Sequence, residues 1–257
     1  MPDSSPVDLA RQLRQHLESL RAAGVEYVPI AAPPSPASPE SAGSEHIHGG
    51  LAAVTALFDG DRSDLASPAR RRHELTVLAQ NVTQCTRCSE LASTRTQTVF
   101  GIGTIDPEIC FVGEAPGADE DAQGEPFVGA AGQLLNRIIA ACGLKREEVY
   151  ICNILKCRPP GNRLPLPNEA ACCREYLERQ LELVHPRFIC ALGACAAQNL
   201  LNTTLSIGKL RGRFHDYRGT PVLCTYHPAY LLRSPDKKRD VWEDMKKLLQ
   251  RLGRPVK

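Results

Sequence analysis

The sequence has little of what membrane-spanning and exported proteins carry. No stretch of the 257 residues approaches the roughly 18 to 20 consecutive apolar residues that a membrane span requires. The first residues, MPDSSPVDLARQLRQHLESL, lack a basic start followed by an apolar run and so predict no secretory signal. Aromatic residues make up only 5% of the chain, with 42% hydrophobic and 23% charged residues, which is typical of a soluble globular protein. We therefore expect a cytoplasmic protein without a membrane partner.

Phosphate-binding signatures are missing as well. The glycine-containing loop from Gly113 to Gly129 has no GKS or GKT to cradle a triphosphate. Gly101 and Gly103 lack the third glycine of a dinucleotide fingerprint, and they precede a predicted strand instead of following one. Between Glu114 and Glu125 there are five acidic residues and no basic one, which would repel a phosphate. The sequence argues against a nucleotide cofactor.

Cysteine, in contrast, is abundant. Because the chain shows no export signal, its 11 cysteines are expected in a reducing compartment, where metal or cluster ligation is more common than a disulfide framework. Cys85 and Cys88 form a CxxC pair, Cys157 follows a predicted strand, and Cys172 and Cys173 are adjacent. Four thiolates suit a structural zinc or a [4Fe–4S] cluster, and spacing alone does not separate the two. The other six lie in apolar segments and are expected to be buried free thiols: Cys110, Cys142, Cys152, Cys190, Cys195 and Cys224.

Composition divides the chain into three parts. Residues 1–28 contain an amphipathic helix, Val7 to Tyr27, with leucines at helical spacing. Residues 29–68 are predicted to be a disordered linker, because 16 of the 22 residues from Pro29 to Gly50 are Pro, Ser, Gly or Ala. Residues 69–257 are predicted to be the folded domain. Its last part is basic, with 13 Lys or Arg and 5 Asp or Glu from Leu205 to Lys257, although the whole chain has a formal net charge of only +2.

The domain alternates apolar strands with amphipathic helices. Four strands are predicted, at Ile109 to Gly113, Val149 to Ile154, Arg187 to Leu192 and Pro221 to Thr225. Helices are predicted at Ala69 to Asn81, Gly129 to Cys142, Asn168 to Val184, Ala194 to Leu201 and Asp236 to Leu252. This alternation predicts an α/β fold with three layers, α/β/α, around a central, mostly parallel four-stranded sheet. The N-terminal extension is expected to be partly disordered.

Residues that can carry chemistry follow the predicted strands. Glu114 comes directly after the first strand, Asn153 ends the second, and His227 follows the fourth. Ligands of such folds bind beyond the carboxyl ends of the strands, so these side chains are expected to converge on one edge of the sheet. Each residue alone is better explained as a turn or capping residue. Together they predict a site.

Three long motifs in the correct order resemble family 4 uracil-DNA glycosylases, the iron–sulfur type of this prokaryotic repair enzyme. They are GEAPG with QGEPFVGAAGQLL, YICNILKCRPP, and HPAYLLR, and the resemblance covers about Cys85 to Leu252. It implies an enzyme of base-excision repair in the cytosol or nucleoid, which hydrolyses the N-glycosidic bond of deoxyuridine in single- or double-stranded DNA. A monomer is expected. The resemblance favours a [4Fe–4S] cluster on Cys85, Cys88, Cys157 and Cys173, the last chosen over Cys172 because its register fits better.

The resemblance also implies roles for the site residues. His227 donates a hydrogen bond to uracil O2 as negative charge develops on the leaving base. Asn153 meets the Watson–Crick edge of uracil, and Phe127 stacks on the extruded base. Glu114 orients the attacking water and stabilises positive charge on the sugar. Glu120 is a second candidate for this role, with a solvated loop charge as the alternative.

Further residues are assigned to binding. Ala115 and Gly117 are expected beside the base. Ala115 stands where some superfamily members carry a water-activating aspartate, so Glu114 is expected to take over the activation of water. Leu231, Leu232 and Arg233 are expected to form a loop that wedges into the duplex, while surrounding Lys and Arg bind phosphates without reading sequence.

Two other functions compete with this interpretation. A noncatalytic cluster-bearing DNA-binding module, such as an accessory domain of a polymerase or repair complex, would have been favoured by loss of Glu114, Asn153 or His227, and all three are present. A zinc-stabilised nucleotide hydrolase should show a carboxylate cluster and a phosphate site, and the sequence shows neither.

Overall fold

A computed structural model describes residues 67–255 of the chain. These described residues belong to one compact unit. The predicted helix Val7 to Tyr27 and nearly all of the predicted linker lie outside the described residues, so both stay predictions. The predicted start of the domain at residue 69 is one residue from the start of the first described helix.

The described chain alternates strands and helices. The helices are α1 (Pro68–Thr83), α2 (Ser89–Thr94), α3 (Ala118–Gln123), α4 (Ala130–Ala141), α5 (Pro167–Val184), α6 (Gly193–Leu201), α7 (Ile207–Leu210), α8 (Pro228–Arg233) and α9 (Lys238–Leu252). The strands are β1 (Ile102–Gly103), β2 (Ile109–Gly113), β3 (Tyr150–Asn153), β4 (Phe188–Leu192), β5 (Phe214–Tyr217) and β6 (Thr220–Thr225). Short 3₁₀ turns at Arg146–Glu148, Pro160–Asn162 and Pro235–Lys237 complete the connections.

The strands form one six-stranded sheet in the order β1-β3-β2-β4-β6-β5. The four inner strands are parallel to one another, and β1 and β5 pair antiparallel with β3 and β6 at the two edges. The chain moves from β2 outward to β3 and then returns to the other side of β2 at β4. This reversal makes a topological switch point between β2 and β4, and crevices for ligands form beyond the carboxyl ends of the strands at such points.

The predicted α/β class and mostly parallel sheet are confirmed, but the predicted number of strands is wrong. The four predicted strands are the four parallel ones, because a strand buried on both faces is a continuous apolar run; every residue of β2 is buried. The two additional strands are edge strands. Such strands are short and partly polar, and they carry no comparable pattern.

Hydrophobic side chains fill the space on both faces of the sheet, which gives the three layers. On one face, Phe111 and Ile151 of the sheet pack with residues of α4 and α9. On the other face, Val112 and Ile189 pack with residues of α5 and α6. Helix α9 shows why these segments are helical, since its buried residues recur at intervals of three and four: Val241, Asp244, Met245, Leu248, Leu249 and Leu252. Within the described residues, no helix is long and apolar enough to cross a membrane.

Candidate active site

A cavity of about 450 Å³ opens at the carboxyl edge of the sheet, beside the switch point. Glu114, Asn153 and His227 line it together with Phe127. The ends of β2 and β3 are held in register here, because the Ile154 amide donates to the Gly113 carbonyl at 3.0 Å. The structure therefore brings together the acid, the amide and the imidazole that the sequence places after three separate strands.

Glu114 is the first residue beyond β2, and its side chain is half-buried. Burial raises the pKa of this carboxyl above its ordinary value, and a hydrogen bond from the Cys195 side chain opposes the rise. A carboxylate with a raised pKa at a cavity wall is suited to interact with a water molecule or with developing positive charge.

Glu120 has a different environment from Glu114. One carboxylate oxygen accepts a hydrogen bond from the Gly117 amide at 3.0 Å, and the other accepts from the Val128 and Gly129 amides at 3.0 and 3.1 Å. Both oxygens are thus engaged in shaping the loop around the cavity. These hydrogen bonds show that Glu120 is not simply a solvated loop charge, and its catalytic role stays a prediction.

Asn153 ends β3, and its side chain is 2% exposed. Its Oδ1 is buried and has no hydrogen-bond partner. Among the described residues, it is the only buried side-chain nitrogen or oxygen atom of which this is true. A buried acceptor left unsatisfied is costly, by roughly 1 to 3 kcal/mol. Since the amide lines the cavity, this acceptor is available to a donor on a ligand there.

Phe127 packs against His227 and lines the same cavity as Asn153. Its backbone is in the left-handed region, with φ at +56°, which a large residue seldom adopts. Its ring centroid is 5.6 Å from that of His227, with 32° between the ring planes. A Cβ on Gly113 would lie 2.6 Å from Phe127 Cζ and 2.4 Å from Asn153 Oδ1, so the positions of these two side chains require a glycine at residue 113. The ring is placed to contact a flat ligand.

His227 is the N-cap residue of α8 and is held in one tautomer. Its Nδ1 accepts a hydrogen bond from the Ala229 amide at 3.2 Å, so the neutral ring carries its proton on Nε2. Burial, and to a lesser degree the charge of Arg233, lowers the pKa of His227 to about 4. The imidazole is therefore a neutral hydrogen-bond donor at physiological pH.

The segment assigned to a DNA wedge is helical, contrary to the predicted loop. Leu231, Leu232 and Arg233 form the last turn of α8, which begins at Pro228 because His227 caps it. Leu231 is 1% exposed and packs in the core, so its assignment as a wedge is wrong. Leu232 is 43% exposed, and Arg233 lines the cavity. These two residues keep the assignment as a prediction.

The cysteines of the predicted ligand set come from three segments. Cys157 and Cys173 are buried, and they pack with Leu91 and Leu155, with Cys88 against them. Burial and the neighbouring Cys173, Cys172 and Cys157 raise the pKa of the Cys88 thiol to about 12. Within residues 67–255, no three His, Cys, Asp or Glu side chains are arranged as ligands of a single metal ion.

The cysteines of this site differ in burial and in hydrogen bonding. Arg95 donates a hydrogen bond to Cys157 Sγ at 3.1 Å. Cys172 is less buried than Cys173, and its Sγ lies 4.0 Å from the Arg87 carbonyl oxygen. Burial and contact with Cys157 thus favour Cys173 as the fourth ligand. Ala115 packs against this cluster and also lines the cavity, so the two sites adjoin.

Five of the six remaining cysteines are buried free thiols, as expected: Cys110, Cys142, Cys152, Cys190 and Cys224. Cys195 differs, because it lies in the first turn of α6 at the carboxyl edge and is only partly buried. It lines a second cavity of about 580 Å³, which adjoins the first and shares Glu114 and His227 with it. The expectation that Cys195 is a buried core thiol is wrong.

Sequence reasoning missed several residues of the site. Arg163 and Tyr230 line the cavity, and Arg163 is fixed by a bidentate ion pair with Glu169 at 2.6 and 2.9 Å. Arg163 lies in a proline-rich segment that follows β3, and this position could have indicated a residue of the site from the sequence. Lys156 is fully buried, with its side chain against the Asn153 carbonyl oxygen, and no sequence pattern marks a lysine as buried.

The fold and the site define an α/β protein with a cavity at the carboxyl edge of its sheet, lined by an acid, an amide and an imidazole. Comparison with known proteins narrows the class. Residues 100–246 match the family described as the uracil DNA glycosylase superfamily. The chain is 43% identical over 187 residues to a type-4 uracil-DNA glycosylase of Archaeoglobus fulgidus, covering 69% of this chain and 92% of the relative.

A second relative gives the same result. The chain is 45% identical over 181 residues to a type-4 uracil-DNA glycosylase of Thermotoga maritima, covering 69% of this chain and 94% of the relative. This chain belongs to the type-4 family of the uracil DNA glycosylase superfamily.

Proposed function

We propose that this protein is a uracil-DNA glycosylase that hydrolyses the N-glycosidic bond of deoxyuridine in DNA, releasing uracil and leaving an abasic site for base-excision repair. The relatives named type-4 uracil-DNA glycosylase support this activity. The single observation in the site that carries it is the unpartnered Asn153 Oδ1 in a cavity that also holds a neutral imidazole.

Asn153 supplies the selectivity. Its Oδ1 accepts a hydrogen bond from uracil N3–H, and its Nδ2 donates to uracil O4. Cytosine presents an unprotonated N3 and an amino group at the same edge, so it would leave Oδ1 unpaired and bring two donors together. The base reaches this pocket only when it is turned out of the stack, and Phe127 then packs on its face.

His227 and Glu114 act on the two charges that develop as the bond breaks. The electron pair of the N-glycosidic bond moves onto the base, and the Nε2–H of His227 donates to uracil O2 where the negative charge appears. The carboxylate of Glu114 stabilises positive charge on the deoxyribose and orients the water that adds to it. Neither residue transfers an electron or forms a covalent bond.

The cysteine site is proposed to hold a [4Fe–4S] cluster on Cys85, Cys88, Cys157 and Cys173. Four thiols from three segments lie together in a partly apolar site, which is the donor set such clusters require. These four cysteines would hold the cluster as thiolates, and the cluster would supply a structural cross-link. The four cysteines would then join the segment before α2 to the segment after β3 and to α5.

DNA is the proposed partner. Arg233 and the exposed Leu232 lie on the helix that follows His227, where they can contact the strand next to the extruded nucleotide. We propose that the protein acts as a monomer in the cytoplasm, and that the folded domain begins near residue 69 after a linker.

Incubation of the purified protein with a uracil-containing oligonucleotide, followed by alkaline cleavage, tests the activity. Strand breaks are expected at uracil alone, in single or double strands. Asn153→Ala should weaken uracil excision, and Asn153→Asp should admit cytosine by reversing the pattern at the recognition edge. No cleavage by a folded wild-type protein would favour a noncatalytic DNA-binding module instead.

Metal analysis tests the cluster. Purified protein should be brown and contain iron and acid-labile sulfide, and Cys85→Ala or Cys157→Ala should lower cluster content and stability together. Cys195→Ala is the matched control, because its thiol lies outside the proposed ligand set. Zinc without iron would refute the cluster.

A further inference from the structure

Lys156 is a buried lysine that contacts the main chain of Asn153 and directly precedes Cys157 in the chain. It follows β3 by three residues, and its side chain is 1% exposed. The ammonium donates hydrogen bonds to the Asn153 carbonyl oxygen at 2.8 Å and to Gln180 Oε1 at 2.5 Å. The residue proposed to read the base is thus held through its main chain by a charged group.

The partners of Lys156 are themselves fixed. Gln180 Nε2 donates to the Phe100 carbonyl at 2.9 Å and to the Tyr150 hydroxyl at 3.0 Å. The Phe100 ring centroid lies 5.7 Å from Lys156 Nζ. All these partners are neutral, and among the described residues no carboxylate forms an ion pair with Lys156.

A buried ammonium without an anion nearby is strongly unfavourable. The groups that can become anionic and that interact with Lys156 are thiols, those of Cys173, Cys157, Cys152 and Cys110. The main-chain amide of Lys156 also donates to the Cys173 thiol. The first two cysteines are ligands in the proposed cluster, and a ligated cysteine is a thiolate.

We propose that Lys156 is a positioning residue that joins the cysteine site to base recognition, by compensating the negative charge of the ligated cysteines and by holding the main chain of Asn153 in place. The inference rests on the proposed function and assigns Lys156 a role in it. Lys156 does not touch the base. It acts through Asn153 on one side and through Cys173 on the other.

The test uses the full-length protein with Lys156→Met, which keeps most of the unbranched stem of the side chain and removes its ammonium group. The first readout is the rate at which an iron chelator bleaches the visible absorbance, which requires no catalysis. The second readout is the single-turnover rate of uracil excision as a function of enzyme concentration. It gives two quantities, the maximal rate and the enzyme concentration at which half of that rate is reached. Tyr150→Phe is the matched control, because it removes a buried neutral end of the same network.

Lys156→Met should bleach at least about fivefold faster than wild type and should raise the half-saturating concentration about tenfold, with a smaller change in maximal rate. Tyr150→Phe should stay close to wild type in both readouts. Lys156→Gln, which keeps a donor without the charge, should recover part of the half-saturating concentration but not the resistance to the chelator. It also replaces the methionine variant if that variant does not fold.

Equal bleaching in wild type and both Lys156 variants would overturn the proposed charge compensation, and so would a wild-type protein without iron. An unchanged half-saturating concentration would overturn the proposed positioning of Asn153. Failure of the wild-type protein to excise uracil is a separate outcome. It refutes the proposed function, and chelator resistance still decides the compensation of charge by Lys156.

Discussion

At the scale of single residues, the site moves two titratable groups in opposite directions. Burial raises the pKa of Glu114 above its usual 4.5, while burial and Arg233 lower the pKa of His227 from 6.5 to about 4. Glu114, on one wall of the cavity, is therefore protonated more readily than an exposed glutamate, whereas His227 on the other wall stays neutral. Environments that separate titratable groups in this way assign their acid and base roles.

The first prediction concerns pH. As the pH falls, uracil excision should decline through the raised pKa of Glu114, above pH 4.5, because the protonated acid no longer stabilises a cation. His227 is neutral throughout this range and should give no inflection near pH 6.5. The measurement is the single-turnover rate against pH for wild type and for His227→Ala. An inflection near 6.5 that His227→Ala abolishes would show that this histidine titrates in the range.

The second prediction separates chemistry from binding. Glu114→Gln and His227→Ala should each lower the single-turnover rate by about 10² to 10³, because both side chains interact with charge that develops only in the transition state. Affinity for DNA should stay near that of wild type in a binding titration. Glu125→Gln, an exposed acid on the same loop, is the control. Near wild-type rates in both variants would mean that the catalytic assignment is wrong.

At the scale of elements, helix α8 places adjacent leucines in different environments. The helix begins at Pro228, and one turn later Leu231 points into the core while Leu232 is exposed. A residue step in a helix turns the side chain by about 100°, so neighbours in sequence do not share a face. Packing and contact with DNA therefore belong to different residues of this short segment.

The third prediction uses this pair of leucines. Leu231→Ala should lower the free energy of unfolding by roughly 2 to 5 kcal/mol, because it leaves a cavity in the core. Leu232→Ala should change stability by less than about 0.5 kcal/mol but impair excision from duplex DNA more than from single strands. Thermal unfolding and cleavage of matched single and double strands measure both effects. Equal losses on the two substrates would remove Leu232 from the wedge.

The fourth prediction concerns the end of β2. Gly113→Ala should lower uracil excision by about 10² or more, because the added methyl meets Asn153 Oδ1 and Phe127 and displaces both by a distance that recognition does not tolerate. Gly208→Ala is the control, since a Cβ there meets nothing within 4 Å. Full activity of a folded Gly113→Ala protein would show that the Asn153 and Phe127 side chains can move.

At the scale of the whole molecule, those features of the fold and site that depend on long apolar runs and on chain order can be predicted from the sequence. The four parallel strands and the convergence of Glu114, Asn153 and His227 follow from these features. The edge strand β5, Phe214–Tyr217, is partly polar and half-exposed, so its pattern does not mark it as a strand. The burial of Lys156 depends on three distant segments meeting, and a single-sequence pattern carries no information on that.

The fifth prediction concerns the N-terminal region. Deleting Met1 to Gly50 should leave uracil excision within about twofold of wild type, because every assigned site residue lies between Cys85 and Arg233. The comparison is single-turnover cleavage by full-length and truncated protein that unfold at similar temperatures. A large loss in the folded truncation would place residues of the N-terminal region in the function.

The two edges of the sheet have a consequence for the protein in a crowded cell. Strand β1 offers only two residues, Ile102 and Gly103, and β5 offers four, among them His215 and Asp216. Edges so short, one of them carrying a charge, give an incoming strand few free amides and carbonyls to pair with. The edges of the described sheet therefore offer little for edge-to-edge pairing, and growth into fibrils through these strands is disfavoured at high concentration.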